Sequence, residues 1–573
     1  MSQLPKVFVR HVDAEEKLKI CFTYGEKEKN FVFMRPKEEK LDTTISRMKL
    51  KMQDVLTKKY QKKKKKSAPD ENNTTPAEIQ LFISLLKNGK EVNGEVKNVE
   101  AWTENTQLNV NESAYEVTLN PPTVLALSLP KSIMAGFPVY PKVELEYCSE
   151  EQCSFSWYRS ISEADAKDLS RWNVHKIGNE NLVYLSDSFF YITAESDLGC
   201  RLRVSCLPKC GEKIGLEVTA ASCNPVEAGP SKCPFEDRHK FTKERTGNGK
   251  VRCISYNILA DCYADSEAAR NDLFPYCPLE ALELDYRKQL YLKEIIGYNG
   301  DIICLQEVDR KVFHNDLVPV LTSTGLEGHY SEKGGQVIEG LSCFYRTSKF
   351  KLIETHAIIL SEAVSNDPVL KPILSKLEEN EKLKEKFMSR TTALQAVLLE
   401  SLEVPHRRVL VANTHLYFHP LADNIRVIQG ASCVLYLENI LKQYKEKDPN
   451  YTTSLIFSGD FNSSPGCGID VLVTQGKLAE DCIDWLSHPE EIVPGMPFQH
   501  SMNLDTACGR PEYTNYTEGF NGCLDYLFYD TSNFDVVEVV PLPTHEQVTQ
   551  HKALPSKVFP SDHIALICTL EWK

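Results

Sequence analysis

Ser454-Leu-Ile-Phe-Ser-Gly-Asp-Phe-Asn-Ser-Ser-Pro465 is the stretch from which the rest of the chain can be read. Leu455 to Phe457 is an apolar run of the length of a short buried strand. It ends in Ser-Gly, and Asp460 and Asn462 follow two residues apart, a spacing that puts both on one face of an extended segment. Gly459 lets the backbone approach a neighbour closely, and Pro465 stops the strand. A carboxylate beside an amide at a strand end suits a hard cation and a phosphate, since the first accepts and the second both accepts and donates. Taken alone, the stretch also reads as an Asx-rich turn that closes a strand.

The same texture recurs on both sides of it. Val251 to Ala260 delivers Asn257, Asp301 to Val308 delivers Gln306 and Glu307, and Val409 to Leu416 delivers Asn413 and His415. Gly522 to Phe528 delivers Asp525, and Ser561 to Leu566 delivers Asp562 and His563. Singly, a buried aspartate caps a turn and a lone histidine is a satisfied core residue. Six such strand ends within about 320 residues, all drawing on Asn, Asp, Glu and His, form the kind of cluster that builds metal and catalytic sites.

The whole chain bounds what such a site belongs to. Its 573 residues exceed a single core and predict about three domains. A hydrophobic share of 42% and a charged share of 25% are those of ordinary soluble protein, and no apolar run approaches the roughly 20 residues of a membrane span. The net charge of −14 excludes a globally basic nucleic-acid binder, so a polyanion must meet a local patch or metal ions. The 19 cysteines are scattered, and Cys304, Cys343, Cys433 and Cys568 sit inside apolar runs, as reduced thiols of an intracellular protein do. Cys148/Cys153 and Cys206/Cys210 are too loosely spaced to predict a zinc site. Met1 to Arg10 has two basic residues and no long apolar core, and Asp13, Glu15 and Glu16 follow, which is neither a secretory signal nor an acidic-poor transit peptide.

From the N-terminus, Lys6 to Val12, Lys19 to Tyr24 and Asn30 to Met34 read as strands. Leu41 to Leu56 has helical spacing, with Ile45, Met48, Met52 and Leu56 on one side. Lys58 to Lys66 is nearly all lysine and Ser67 to Pro76 is polar, which predicts a solvated linker. Strand character resumes at Gln80 to Leu86 and Gln107 to Val110, so residues 1–120 read as a small α+β module with a lysine-rich insertion. After Asn120-Pro-Pro122, short strands with turn signals run to about 225. Phe155-Ser-Trp-Tyr-Arg159, followed by Asp197 to Cys206, resembles the core of an immunoglobulin-like β-sandwich over 121–225. The Pro/Gly/Lys-rich stretch 226–249 reads as a linker into the last domain, 250–573.

Residues 250–573 resemble the endonuclease/exonuclease/phosphatase superfamily in the spaced set SYNILA, LQEV, NTHL, GDFNSSP, LDYLF and SDHIAL. SYNILA, NTHLYFHP and YTNYTEGFNGCLDYLFY are similar to the nocturnin-like deadenylase branch. With Met134-Ala-Gly-Phe-Pro138, the whole chain most resembles the 2′,5′-phosphodiesterase 12 family. The resemblance implies a multidomain protein with a C-terminal α/β four-layer sandwich, two packed β-sheets flanked by helices. It implies removal of AMP from 2′,5′-linked oligoadenylates and from 3′ poly(A) tails of RNA. It also implies the mitochondrial matrix, from which this sequence departs in lacking an Arg-rich presequence. RNA or oligoadenylate is then the substrate partner, with no membrane expected and no stable protein partner to be inferred.

Residue chemistry supplies roles. An anionic phosphodiester repels nucleophiles, and one acid–base group gives only about 10²–10⁴-fold, so metal and electrostatic stabilisation must do most of the rest. Glu307 is the first metal ligand, with Asn257 beside it, and the resemblance agrees. Oxygen ligands favour Mg²⁺, one or two ions, with Mn²⁺ able to substitute. Asp460 orients or deprotonates water and touches metal, Asn462 holds a phosphate oxygen or a metal, and Asp562 ligates a second ion. His563, held by Asp525, stabilises developing charge, and His415 binds phosphate, with Asn413 on the substrate side. The resemblance adds Pro420 and Phe520 as a clamp on the terminal adenine. Other phosphoesterases on the same fold (inositol phosphatase, abasic-site nuclease, sphingomyelinase) stay open as alternatives, as does a non-catalytic RNA-binding scaffold. The residues do not say which linkage, 2′,5′ or 3′,5′, is preferred.

Overall fold

The computed structural model describes residues 4–25, 29–64, 80–162, 165, 169–230, 232–493 and 495–573. The first module is a seven-stranded sheet in the order Lys29–Pro36, Lys17–Tyr24, Lys6–Arg10, Ser113–Leu119, Thr106–Val110, Ile83–Lys87, Lys90–Glu91. Leu18, Ile20 and Phe22 alternate inward from one strand, and the helix Leu41–Lys64 buries Met48 and Met52 in the same core. The helix runs on through Lys64, past the point at which a linker was expected. Lysine is a good helix former, and Lys58 pairs with Asp54 one turn back at 2.7 Å. The polar stretch Ser67 to Pro76 lies outside the described residues.

The second module is all β. Its antiparallel sheet runs Val174–Ile177, Glu180–Ser186, Ser154–Ser160, Leu202–Leu207, Val218–Ala221. Trp157 is fully buried, faces Val204 across the ladder and shares a core with Cys206. Among the described residues, the other strands form three separate pairs, Thr123–Ser128 with Lys142–Glu146, Pro138–Val139 with Tyr191–Ile192 and Lys209–Cys210 with Lys213–Ile214. The continuous second sheet of an immunoglobulin-like sandwich is therefore not present as such.

The stretch 226–249 is not a free linker. Cys233 and Phe235 are fully buried, and Arg238 donates from Nη2 to the Ala565 carbonyl at 2.7 Å and from Nε to the Pro541 carbonyl at 3.0 Å. Its few anchoring residues outweigh a loop-like composition. Met134, Phe137 and Tyr140 enter the same core as the helix Leu284–Gly297, so the second module and the last domain share buried surface.

The last domain is the two-sheet architecture that the resemblance implied. The first sheet runs Leu326–Glu332, Glu339–Arg346, Ile302–Asp309, Lys250–Asn257, Leu566–Trp572, Phe534–Val539. The second runs Phe350–Ile359, Ala393–Ser401, Arg407–His415, Thr452–Asp460, Asp525–Asp530, Leu504–Thr506. The sheets face each other across Val251, Cys253, Ile302, Cys304, Val409, Val411, Ile456, Leu527, Cys568 and Leu570. Alternate residues of the same strands, such as Ile254, Leu305, Leu410 and Phe457, face the flanking helices. The period of two decides where the site falls. Asn257 continues the interior row Val251, Cys253; His415 continues Val409, Val411; Asp460 continues Ile456; Asp525 precedes Leu527. Each polar residue is the last member of an apolar interior row, at one end of the sandwich.

Candidate active site

His415, Asp460 and Asp525 stand side by side on three adjacent strands of the second sheet, in register His415 to Asp460 and Asp460 to Asp525. Gly459 permits this approach, because a Cβ there would lie 2.1 Å from the Thr414 carbonyl oxygen. Thr514 Oγ1 accepts from the Asp525 backbone N–H at 3.1 Å and fixes the start of that strand. His563 enters from the loop before Leu566–Trp572, where Ser561 Oγ donates to the Asn257 carbonyl at 2.7 Å and accepts from the His563 N–H at 3.1 Å. Its Nδ1–H donates to Asp525 Oδ2 at 2.8 Å, and its Nε2 stands 3.5 Å from Asp460 Oδ2 and 4.0 Å from Asp562 Oδ2.

The first sheet supplies Asn257 and Glu307. Asn257 Nδ2 donates to Glu307 Oε1 at 2.9 Å and to Asp460 Oδ2 at 3.1 Å, joining the two sheets. Glu307 sits in a β-bulge where the pairing with the neighbouring strand skips from Leu305 to Val308, and its φ is +54°. A non-glycine residue in that region costs about 1–3 kcal/mol and persists only where the surroundings hold it. The bulge turns the carboxylate out of the ladder, where the Ala260 N–H also donates to it at 3.1 Å.

The electrostatics separate the groups. Burial, with the charges of Glu339 and Asp562, pushes the Glu307 carboxyl up to about 7. Burial, with Asp525 adding and His563 opposing, pushes Asp460 up to about 6. Burial disfavours a charge on His563, yet Asp525, Asp460 and Asp562 together hold it well above the ordinary imidazole value. Burial and the nearby charges of Lys333 and His563 hold His415 well below it. Lys333 Nζ lies 3.1 Å from His415 Nδ1, so Nδ1 accepts and the ring proton of neutral His415 is on Nε2, 3.6 Å from Asp460 Oδ2. The surroundings thus favour the charged form of His563 and the neutral form of His415.

Residues 254–563 match the Endonuclease/Exonuclease/phosphatase family profile, and residues 121–227 match the 2',5'-phosphodiesterase 12-like N-terminal domain. Mouse 2',5'-phosphodiesterase 12 is 43% identical over 492 residues, which cover 84% of this chain and 78% of the mouse protein. The human protein of that name is 43% identical over 486 residues, with the same coverage of 84% and 78%. The chain belongs to the 2′,5′-phosphodiesterase 12 family. A more distant relative, the CCR4-Not complex 3'-5'-exoribonuclease subunit Ccr4 of Schizosaccharomyces pombe, is 30% identical over 356 residues, 57% of this chain and 50% of that protein. As a 2′,5′-phosphodiesterase 12 family member, this chain is a hydrolase with phosphodiesterase activity.

In this family member the structure gathers Asn257, Glu307, His415, Asp460, Asp525, Asp562 and His563 as the sequence led one to expect. Asn462 corrects the expectation in part. The strand stops at Asp460, and Asn462 takes φ +48°, so the two do not share an extended face. Asn462 instead folds back, its N–H on Asp460 Oδ1 and its Nδ2 on the Leu416 carbonyl, each at 3.0 Å. Asn413 is corrected outright. It is fully buried, donates to the Leu305 and Ser342 carbonyls and accepts from Gln306 Nε2 at 2.8 Å, so it clamps the sheets and has nothing left for substrate. Pro420 and Phe520 are exposed, on loops leaving the strands on either side of Asp460.

Sequence reasoning missed Lys333, Glu339 and Asn515. Lys333 is ion-paired with buried Glu339, which also accepts from Tyr263 Oη at 3.2 Å. Asn515 Nδ2 donates to Asp562 Oδ2 at 3.0 Å. Glu339 opens a strand and Lys333 lies in a Gly-Gly loop, so neither closes an apolar run, and only the polar residue inside YTNYTEGF pointed to Asn515.

The residues fit a divalent cation. The donors around Glu307 are oxygens, the Asn257 amide is wedged between two carboxylates, and buried Glu339 Oε2 and Asp525 Oδ1 have no partner among the described residues. Asp460, Asp525 and His563 each offer a ligand atom within 4.8 Å of the others. With Nδ1 committed to Asp525, His563 has only Nε2 left to offer in that trio.

Proposed function

We propose that this phosphodiesterase releases AMP from 2′,5′-linked oligoadenylates and from the 3′ poly(A) tails of RNA, as a Mg²⁺-dependent exoribonuclease in which Mn²⁺ can substitute. The observation that carries the chemistry is the row His415, Asp460, Asp525 with His563 bridging Asp525 and Asp460. Asp460, poised near 6, is ionised at neutral pH and orients or takes the proton of the attacking water. The charged His563 stabilises the oxygen charge that builds on phosphorus, and Asp525 holds it there. Neutral His415 offers Nε2–H to a phosphate oxygen, with Lys333 fixing that tautomer. Glu307, Asn257, Asp460 and Asp562 would hold one or two Mg²⁺ ions, which supply charge neutralisation and leaving-group stabilisation when bound. Asn462 Oδ1 is the atom left to meet phosphate or metal.

The substrate half rests on the names of the relatives and on the exposed pair Pro420 and Phe520. Their loops rise from strands two intervals apart, about 10 Å at their roots, a span into which a purine fits. The same membership is the ground for proposing the mitochondrial matrix, and the Trp157 core for reading 121–225 as immunoglobulin-like. The test is incubation of purified protein and Mg²⁺ with matched 2′,5′- and 3′,5′-oligoadenylates. AMP release that stops with chelator is expected. No AMP from either, or undiminished release in excess chelator, would refute the reading.

A further inference from the structure

Both linkages present the same terminal AMP to the site. They differ only in how the preceding ribose joins the scissile phosphate. Whatever distinguishes them must therefore touch that preceding nucleoside, whose 2′ or 3′ oxygen leaves with a proton as water attacks phosphorus.

A groove of about 430 Å³ lies next to the loop that carries Lys333, lined by Gly334, Ser361, Glu362, Ser365, Met388 and Arg390 among others. Its place follows from the ladders. Ile359 pairs with Ala393, Leu394 with Thr414, and His415 with Asp460. Thr391, on its wall, comes two residues before Ala393 and so lies at the end of a strand two intervals from Asp460, about 10 Å across the sheet, while Ile359 on the far wall is three intervals away, about 15 Å. Both are on the side opposite the strand that follows Phe520. Gly334, on its wall, directly follows Lys333, the residue that touches His415. Arg390 donates from Nε to the Lys386 carbonyl and from Nη2 to Ser389 Oγ, and its guanidinium lies 4.6 Å over the Tyr417 ring. Among the described residues nothing accepts from its Nη1 and no carboxylate pairs with it, in a chain of net charge −14. A fixed, stacked arginine without a counter-ion beside a phosphodiester site is built for a phosphate. Glu362 and the two serines offer acceptors and donors for sugar hydroxyls and an exocyclic amine.

Resting on the oligoadenylate reading above, we propose that this groove holds the penultimate nucleoside, with Arg390 on its 5′ phosphate, and that it discriminates the 2′,5′ from the 3′,5′ linkage. The experiment compares wild type, Arg390→Gln and Ser365→Trp, the second a bulky change at an exposed helix position that fills the groove without touching the core. Three substrates are used with the full chain: 2′,5′-triadenylate, 3′,5′-triadenylate and adenosine 5′-(p-nitrophenyl phosphate), which carries the same AMP but no penultimate nucleoside. Loss of one charged hydrogen bond predicts a fall of about 10- to 100-fold in kcat/KM on both triadenylates for Arg390→Gln. Ser365→Trp should change the ratio of the two linkages, and the p-nitrophenyl ester should stay within about twofold for both variants. An equal loss on all three substrates, or an unchanged linkage ratio with no loss on triadenylates, overturns the proposal. Wild-type protein that cleaves the ester but neither triadenylate overturns the substrate reading itself, and the groove assignment falls with it.

Discussion

Asp525→Asn separates charge from shape at the centre of the site. The amide oxygen can still accept from His563 Nδ1, now at 2.8 Å from the carboxylate, so only the negative charge is removed. With charge spread over ring and carboxylate, the centres are about 4 Å apart, and their attraction is about 4 kcal/mol at an effective dielectric constant of ~20. If that energy maintains the imidazolium through the transition state, turnover falls by up to about 10³-fold. Asp460 and Asp562 remain within 3.5 and 4.0 Å of Nε2, so part of the field survives and the expected loss is about 10²- to 10³-fold. The sign of the pH effect is fixed. The Asp525 charge raises the His563 pKa, so its removal lowers it, the protonated fraction falls at a given pH, and the alkaline limb of kcat moves to lower pH. The assay is AMP release from oligoadenylate across the neutral and alkaline range, with thermal melting as a control for folding. Turnover within about threefold of wild type, with the alkaline limb unmoved, would refute the charge-holding role of Asp525.

Glu307→Gln should lower AMP release by at least about 10²-fold with little change in melting, since a hard cation depends on the carboxylate charge and the bulge needs only the backbone; near-normal activity would remove Glu307 from the metal set. Phe520→Ala should lower kcat/KM on oligo(A) by roughly 5- to 150-fold and narrow the preference over oligo(U); equal A-to-U ratios in the two proteins would take Phe520 out of the base site. Phe137→Ala, in the core that the second module shares with the helix Leu284–Gly297, should cost about 3–5 kcal/mol in denaturant unfolding of the catalytic domain; an unchanged midpoint would mean that the modules fold independently.

The catalytic end of the sandwich was legible because Asn257, His415, Asp460 and Asp525 each stand at the end of an apolar row, and the alternation that makes a strand also carries that polar member into the interior. That same rule failed for Asn413. A polar residue at the end of such a row looks alike in sequence whether it opens onto substrate or is clamped by Gln306 and two carbonyls. Lys333 was invisible for a related reason. Its partner His415 lies 82 residues away in sequence, and nothing in a Lys-Gly-Gly loop signals that contact. The stretch 226–249 misled because prolines, glycines and lysines make up a third of it, while the side chains that tie it down, among them Cys233, Phe235, Arg238, His239 and Thr242, are scattered singly between them. Asn462 misled because extended spacing was carried past the end of its strand.

Leu566–Trp572 is an inner strand of the first sheet, paired on one side with Lys250–Asn257 and on the other with Phe534–Val539. Ribosomes add roughly 5–20 residues per second, so this strand emerges on the order of 15–60 s after its neighbour. During that interval the edge of Lys250–Asn257 has no partner on that side and is a site at which nascent chains can pair with one another. His563 is made in the same late stretch. A chain halted before it both leaves that edge open and lacks the imidazole that bridges Asp525 and Asp460.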